Sequence, residues 1–112
     1  MKEIKAFIRQ HRIADVLEAL RDAGLCDPNA GAGCHNITDS QVQRPLASAD
    51  PPQQHYSMEL AEPVVIEYKL ELLCPDNLVD TMMNVITQAA RTGQPEAGWV
   101  WVSEIARAVE IR

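Results

Sequence analysis

Between Val65 and Cys74 the side chains alternate: Ile66, Tyr68, Leu70 and Leu72 are apolar or aromatic, and Glu67, Lys69 and Glu71 between them are charged. Because successive residues of a strand point to opposite faces, this segment has one face for a core and one for water. Such a strand suits an antiparallel sheet that carries helices on one side only; a sheet covered on both faces needs nearly continuous apolar runs. Pro75-Asp76-Asn77 follows at once and opens a helix, since proline fits a first turn and Asp76 complements the dipole there. Leu78, Val79, Met82, Met83, Ile86, Ala89 and Ala90 then fill one wide stripe, in which the methionines are core-fillers. A half-buried strand leading directly into an amphipathic helix sets the architecture as helix on sheet.

The first part of the chain repeats this unit. Lys2 to Ile8 reads as a strand with Ile4, Ala6 and Ile8 on one side and Phe7 as an apolar member of the other. Over residues 12 to 24 the period changes, with Ile13, Val16, Leu17 and Leu20 on one helical stripe, Asp15, Glu18, Arg21 and Asp22 on the solvated face, and Gly24 as the stop. Residues 25 to 36 hold a proline, two glycines and two asparagines, so the chain turns there, and Ile37 to Gln43 is a weaker strand. Arg44 to Pro63 contains four prolines and no sustained period, which predicts a long mobile loop with His55 and Tyr56 exposed near its tip. Trp99 to Val102 is a strand that is apolar on both faces, which predicts that one face packs on another subunit; residues 103 to 107 turn, and Ala108 to Arg112 is a short last strand. The 112 residues are therefore expected to form one α+β domain. Its order is βαββαβ, the ferredoxin-like split-βαβ sandwich with an antiparallel sheet, both helices on one face and a short extra C-terminal strand. The uncovered sheet face predicts an oligomer.

Composition excludes several functions. A net charge of -6 offers no basic stripe for phosphates, so no nucleic-acid partner is expected. No apolar run approaches the roughly 20 residues of a membrane span, so neither membrane insertion nor a location outside the cytoplasm is expected. Cys26, Cys34 and Cys74 are an odd set without the spacing of a disulfide framework, and Cys74, at the end of an apolar strand, reads as a small buried hydrophobe. Cys26, Cys34 and His35, with His55 from the later loop, are candidate ligands for a soft metal, although the spacing matches no strong zinc signature. His11, His35 and His55 stand in loop or terminal segments, and no nucleophile and base share a recognisable spacing, so catalysis is not expected.

The most distinctive irregular stretch is T-G-Q-P-E-A-G-W-V-W-V, Thr92 to Val102. Gly93 reads as the stop of the second helix, Pro95 prevents its resumption, and Gly98 leaves bare backbone beside the start of a strand. Uncovered backbone N–H groups in such a place suit small anions and nucleotides.

The segments M-K-E-I-K-A-F-I, R-x-x-x-V-L-E-A-L, K-L-E-L-L-C-P-D-N-L-V-D-T and A-A-R-T-G-x-x-x-x-G, with V-E-I-R at the end, resemble the PII signal-transduction proteins across both halves of the chain. The resemblance implies a homotrimer with nucleotide clefts between subunits. It also implies a flexible T-loop, here 43–62, which contacts a protein partner such as a membrane transporter or metabolic enzyme, and a B-loop, here 92–98, over the phosphates. The implied ligand-binding residues are Thr38, Val42, Glu71, Thr92, Gly93, Gly98 and Arg112. The chain also departs from the family pattern. Glu96 stands where a glycine is expected, Trp99 where the phosphate-binding lysine is expected, Glu67 at the basic position at the T-loop base, and Glu110-Ile111-Arg112 in place of R-x-R. Tyr56 is not at the position of the tyrosine that is uridylylated in some members, which aligns near Leu60. A charge-assisted contact is worth about 1.5 to 3 kcal/mol, so the losses predict ADP, AMP or a small anion such as bicarbonate rather than ATP. The implied role is a non-catalytic regulator; the alternative is a metal-responsive PII-like regulator of a heavy-metal efflux system that uses the Cys/His set.

Overall fold

A computed structural model describes residues 1–25, 35–45 and 54–112. Seven elements follow one another: β1 (Lys2–Arg9), α1 (Ile13–Asp22), β2 (His35–Pro45), β3 (Gln54–Ser57), β4 (Glu62–Cys74), α2 (Val79–Ala90) and β5 (Trp99–Glu104). The four main strands lie in the order β2-β4-β1-β5 and every recorded pairing is antiparallel. This is the split-βαβ arrangement expected from the sequence.

The alternation in β4 sorts the sheet as predicted. Leu70, Leu72 and Cys74 turn to the helix side, together with Ile4, Ala6 and Ile8 of β1, and bury against Val16, Leu20, Val79, Met82 and Ile86. Val100 and Val102 of β5 pack against this core, paired with Ala6 and Ile4. α1 ends as the sequence predicts. Gly24 takes φ +70, its N–H reaches the Arg21 carbonyl at 2.9 Å, and the Leu25 N–H reaches the Leu20 carbonyl at 3.0 Å. Those two bonds satisfy the last carbonyls and fold Leu25 down into the core.

Two expectations need correction. The excursion from Arg44 to Pro63 is not one long loop, because β2 continues to Pro45, β4 begins at Glu62, and Gln54–Ser57 forms β3 between them. β3 pairs with Glu62 to Val65 on the same edge of β4 that β1 occupies from Glu67 onward, while β2 runs along the other edge. The result is a ribbon extending the sheet beyond the helices. The β3–β4 turn is closed by the Leu60 N–H donating to the Ser57 hydroxyl at 3.2 Å and by Ala61 at φ 55. Second, no strand forms over Ala108 to Arg112; the alternation is present, but Val109 and Ile111 lie exposed without a pairing strand among the described residues. Trp99 and Trp101 of β5 are 57% and 43% exposed within the chain, which leaves apolar area of that strand uncovered.

Candidate functional site

The loop between α2 and β5 is built from both ends. α2 stops at Ala90, and Arg91 is already extended at φ -59, ψ 137, so the helix ends three residues before Gly93 rather than on it. In place of a glycine cap, the Arg12 guanidinium donates twice to the Ala89 carbonyl, from Nε at 3.1 Å and Nη2 at 2.6 Å. A cation at this end also suits the helix dipole. Gly93 at φ +83 turns the chain, and the Thr92 hydroxyl accepts the Gln94 N–H at 3.2 Å to hold the turn. Glu96 sits at φ 54, a left-handed conformation that a glycine adopts without strain, in keeping with the expectation of glycine at this position. Gly98 then passes so close to β1 that a Cβ would lie 2.5 Å from the Phe7 carbonyl oxygen.

This path encloses a cavity of about 350 Å³ between the end of α2, the loop, β1 and the start of β5. Thr92, Gly93 and Gly98 line it, so the structure brings together three of the seven candidate ligand-binding residues. Phe7, Thr87 and Trp99 contribute to its walls. Among its lining residues the only cation is Arg91 and the only anion is Glu96.

The other candidates lie elsewhere. Thr38 and Val42 are on β2, opposite Glu71 and Glu67 of β4, on the sheet face that neither α1 nor α2 covers. β2 lies three strand spacings from β5, about 14 Å, and β4 two, about 10 Å, and none of Thr38, Val42 and Glu71 lines the cavity of their own chain. Arg112 stands at the exposed chain end, 3.6 Å from the Glu110 carboxylate.

The open sheet face also holds a feature that the alternation did not reveal. Glu67 is completely buried there; its Oε2 accepts from Arg9 Nη1 at 2.6 Å and its Oε1 from Arg44 Nε at 2.7 Å. Arg44 lies over the Phe7 ring at 5.6 Å, and Phe7 in turn meets Trp101 at a centroid distance of 5.2 Å. The sequence suggested that Glu67 would repel an anionic ligand. With two guanidiniums bound to one carboxylate, the group is instead a closed cluster of net positive charge. The signal that could have found it was an arginine at the end of β1 in register with a glutamate on the next strand.

The metal candidates do not converge within the described residues. Cys26, Cys34 and the His35 side chain lie outside them, and His55 is exposed on β3. The His35 backbone pairs with Leu73 and His55 with Val64, opposite ends of β4 and about 30 Å apart along it, so one chain does not bring the two histidines to a shared ion. Among the described residues no group of three His, Cys, Asp or Glu is close enough to hold a metal. Cys74 is buried as expected, and burial pushes its thiol pKa up, which keeps it protonated and a poor ligand.

Comparison with known proteins agrees with this geometry. The family model described as nitrogen regulatory protein P-II matches residues 1–112. The chain is 28% identical over 112 residues to nitrogen regulatory protein P-II 1 from Escherichia coli strain K12 and from Salmonella typhimurium, covering 100% of this chain and 92% of each relative. It is 29% identical over 112 residues to nitrogen regulatory protein P-II from Haemophilus influenzae, again with 92% of the relative covered. No described helix is long and apolar enough to cross a membrane. With the split-βαβ sheet, the ribbon on β4 and the glycine-framed loop before β5 all in place, the chain belongs to the nitrogen regulatory protein P-II family of signal-transduction regulators.

Proposed function

We propose that the protein is a non-catalytic regulator that works as a cytoplasmic homotrimer. It takes a small ligand where the 92–98 loop of one subunit meets the open sheet face of the next, and it signals to a protein partner through the 43–62 segment. The observation that carries this reading is the split of the candidate residues: Thr92, Gly93 and Gly98 line a cavity beside β5, while Thr38 and Val42 of β2 and Glu71 of β4 lie outside it across the sheet, β2 about 14 Å from β5. A neighbouring copy that placed its open face against the loop would complete one site from two halves. The half-exposed Trp99 and Trp101, at the edge of the sheet next to the loop, supply apolar area for such a contact.

The ligand favoured by the cavity is ADP, AMP or an anion of the size of bicarbonate. Within the cavity one arginine and one glutamate balance, and an aromatic wall with the bare backbone at Gly93 and Gly98 suits a base and one or two phosphates or a small anion. The partner would be a membrane transporter or a metabolic enzyme, met by the exposed Tyr56, Met58 and Leu60 of the ribbon. Titration calorimetry of the assembled protein with ATP, ADP, AMP and bicarbonate, with and without magnesium, tests the ligand, and analytical ultracentrifugation tests the trimer. AMP or ADP binding tighter than ATP is expected. Tight magnesium-dependent ATP binding would overturn the ligand assignment, and a monomer at micromolar concentration would overturn the shared cleft.

A further inference from the structure

The cluster of Arg9, Glu67 and Arg44 joins three strands through one carboxylate, and each oxygen serves a different strand: Arg9 on β1 at 2.6 Å and Arg44 on β2 at 2.7 Å. Its members differ in burial. Glu67 is 0% and Arg9 1% exposed, while Arg44 keeps 28% of its side chain accessible. A buried carboxylate is tolerated only when its charge is matched and its lone pairs are used, so Glu67 is held to this arrangement.

The position of Arg44 gives the cluster its consequence. Arg44 is the next-to-last residue of β2 and pairs with Val65, and the same Val65 pairs on its other edge with Gln54 of β3. Glu67 is two residues further along β4, where the pairing with β1 begins at Arg9. The cluster therefore sits at the junction where the helix-covered sheet ends and the ribbon begins. We propose that Arg9, Glu67 and Arg44 act as a positioning clamp that holds the end of β2 and the neighbouring β3 in strand pairing with β4 and thereby fixes the direction in which this ribbon leaves the domain. The clamp is intramolecular, so it is read in the free protein without nucleotide and stands or falls separately from the ligand assignment above.

The test is backbone amide exchange in the full chain, with Arg44→Ala as the first variant. The Arg9–Glu67 pair survives there, so the core is expected to fold, while exchange at Val42, Gln43 and Gln54 to Ser57 rises at least ten-fold and exchange at Ala6 and Leu70 changes less than two-fold. Lys69→Ala, which removes a half-exposed pair from the same face, is expected to leave all of these amides unchanged. The second variant, Glu67→Ala, loosens the same ribbon amides, and formate or acetate, able to enter between the two guanidiniums, is expected to restore their protection where chloride at equal ionic strength does not. Unchanged ribbon exchange in Arg44→Ala, or an equal rise across β1 and β4, would overturn the clamp. So would identical effects of formate and chloride on Glu67→Ala.

Discussion

The two faces of this sheet are made from the same four main strands and follow different rules. On the helix side Ile4, Ala6, Ile8, Leu70 and Leu72 bury against α1 and α2, and each contributes area taken out of water. On the other side Lys5 and Glu3, and Lys69 and Glu71, form half-exposed pairs at 3.9 and 3.2 Å, yet two residues from Lys69 the Glu67 carboxylate is shut away completely. The helix side is a bulk property, spread over many residues and forgiving of detail. The open side concentrates its energy in one cluster, and its other charges matter little.

That contrast can be broken by mutation, and the largest effect should come from the cluster. Glu67→Ala leaves two guanidiniums facing each other, and losing one partner of a buried pair costs about 3–5 kcal/mol, measured by urea unfolding. On the helix side, Met82→Ala removes a fully buried side chain from α2 and should cost about 3 kcal/mol through lost transfer energy and a cavity. If the two variants cost the same and the double variant Arg9→Met with Glu67→Leu is no better than Glu67→Ala, the open face is not governed by charge pairing. Gly98→Ala drives a methyl against the Phe7 carbonyl and should cost about 1–3 kcal/mol, with altered fluorescence of the adjacent Trp99 as a local reporter. Glu96→Gly relieves left-handed backbone worth about 1–2 kcal/mol but frees the unfolded chain, for a net gain of about 0.5–1 kcal/mol in melting experiments. Lys69→Ala should move stability by less than about 0.5 kcal/mol, as an exposed pair does, and its salt dependence should be flat.

The same division explains what could be read in the chain. The alternation at Val65 to Cys74 and the stripes at Ile13 to Leu20 and Leu78 to Ala90 are local signals, and each became the element it predicted. β3 left no such signal: Gln54-His55-Tyr56-Ser57 becomes a strand because the free edge of β4 beyond Glu67 supplies the hydrogen bonds. The reverse holds for Val109 and Ile111, where a strand-like pattern has no edge to join within the described residues. Thr92, Gly93 and Gly98 were legible as part of a site because glycine and a hydroxyl at a helix-to-strand junction have few structural alternatives. Glu67 was misjudged because a one-dimensional pattern assigns a charge to solvent, whereas its burial depends on Arg9 and Arg44, 58 and 23 residues away. Arg12 escaped for a similar reason, since its partner is a carbonyl 77 residues distant.

Among the described residues β3 pairs with β4 alone, on a stretch of edge that β1 does not use. That attachment separates the histories open to the two parts of the molecule. A substitution, deletion or insertion between β2 and β4 has only the outer end of one strand to satisfy, while the helices and β1 continue to fold on the inner end. Such a domain can exchange the segment that meets its partner, in nature or at the bench, and retain the framework that carries the loop before β5.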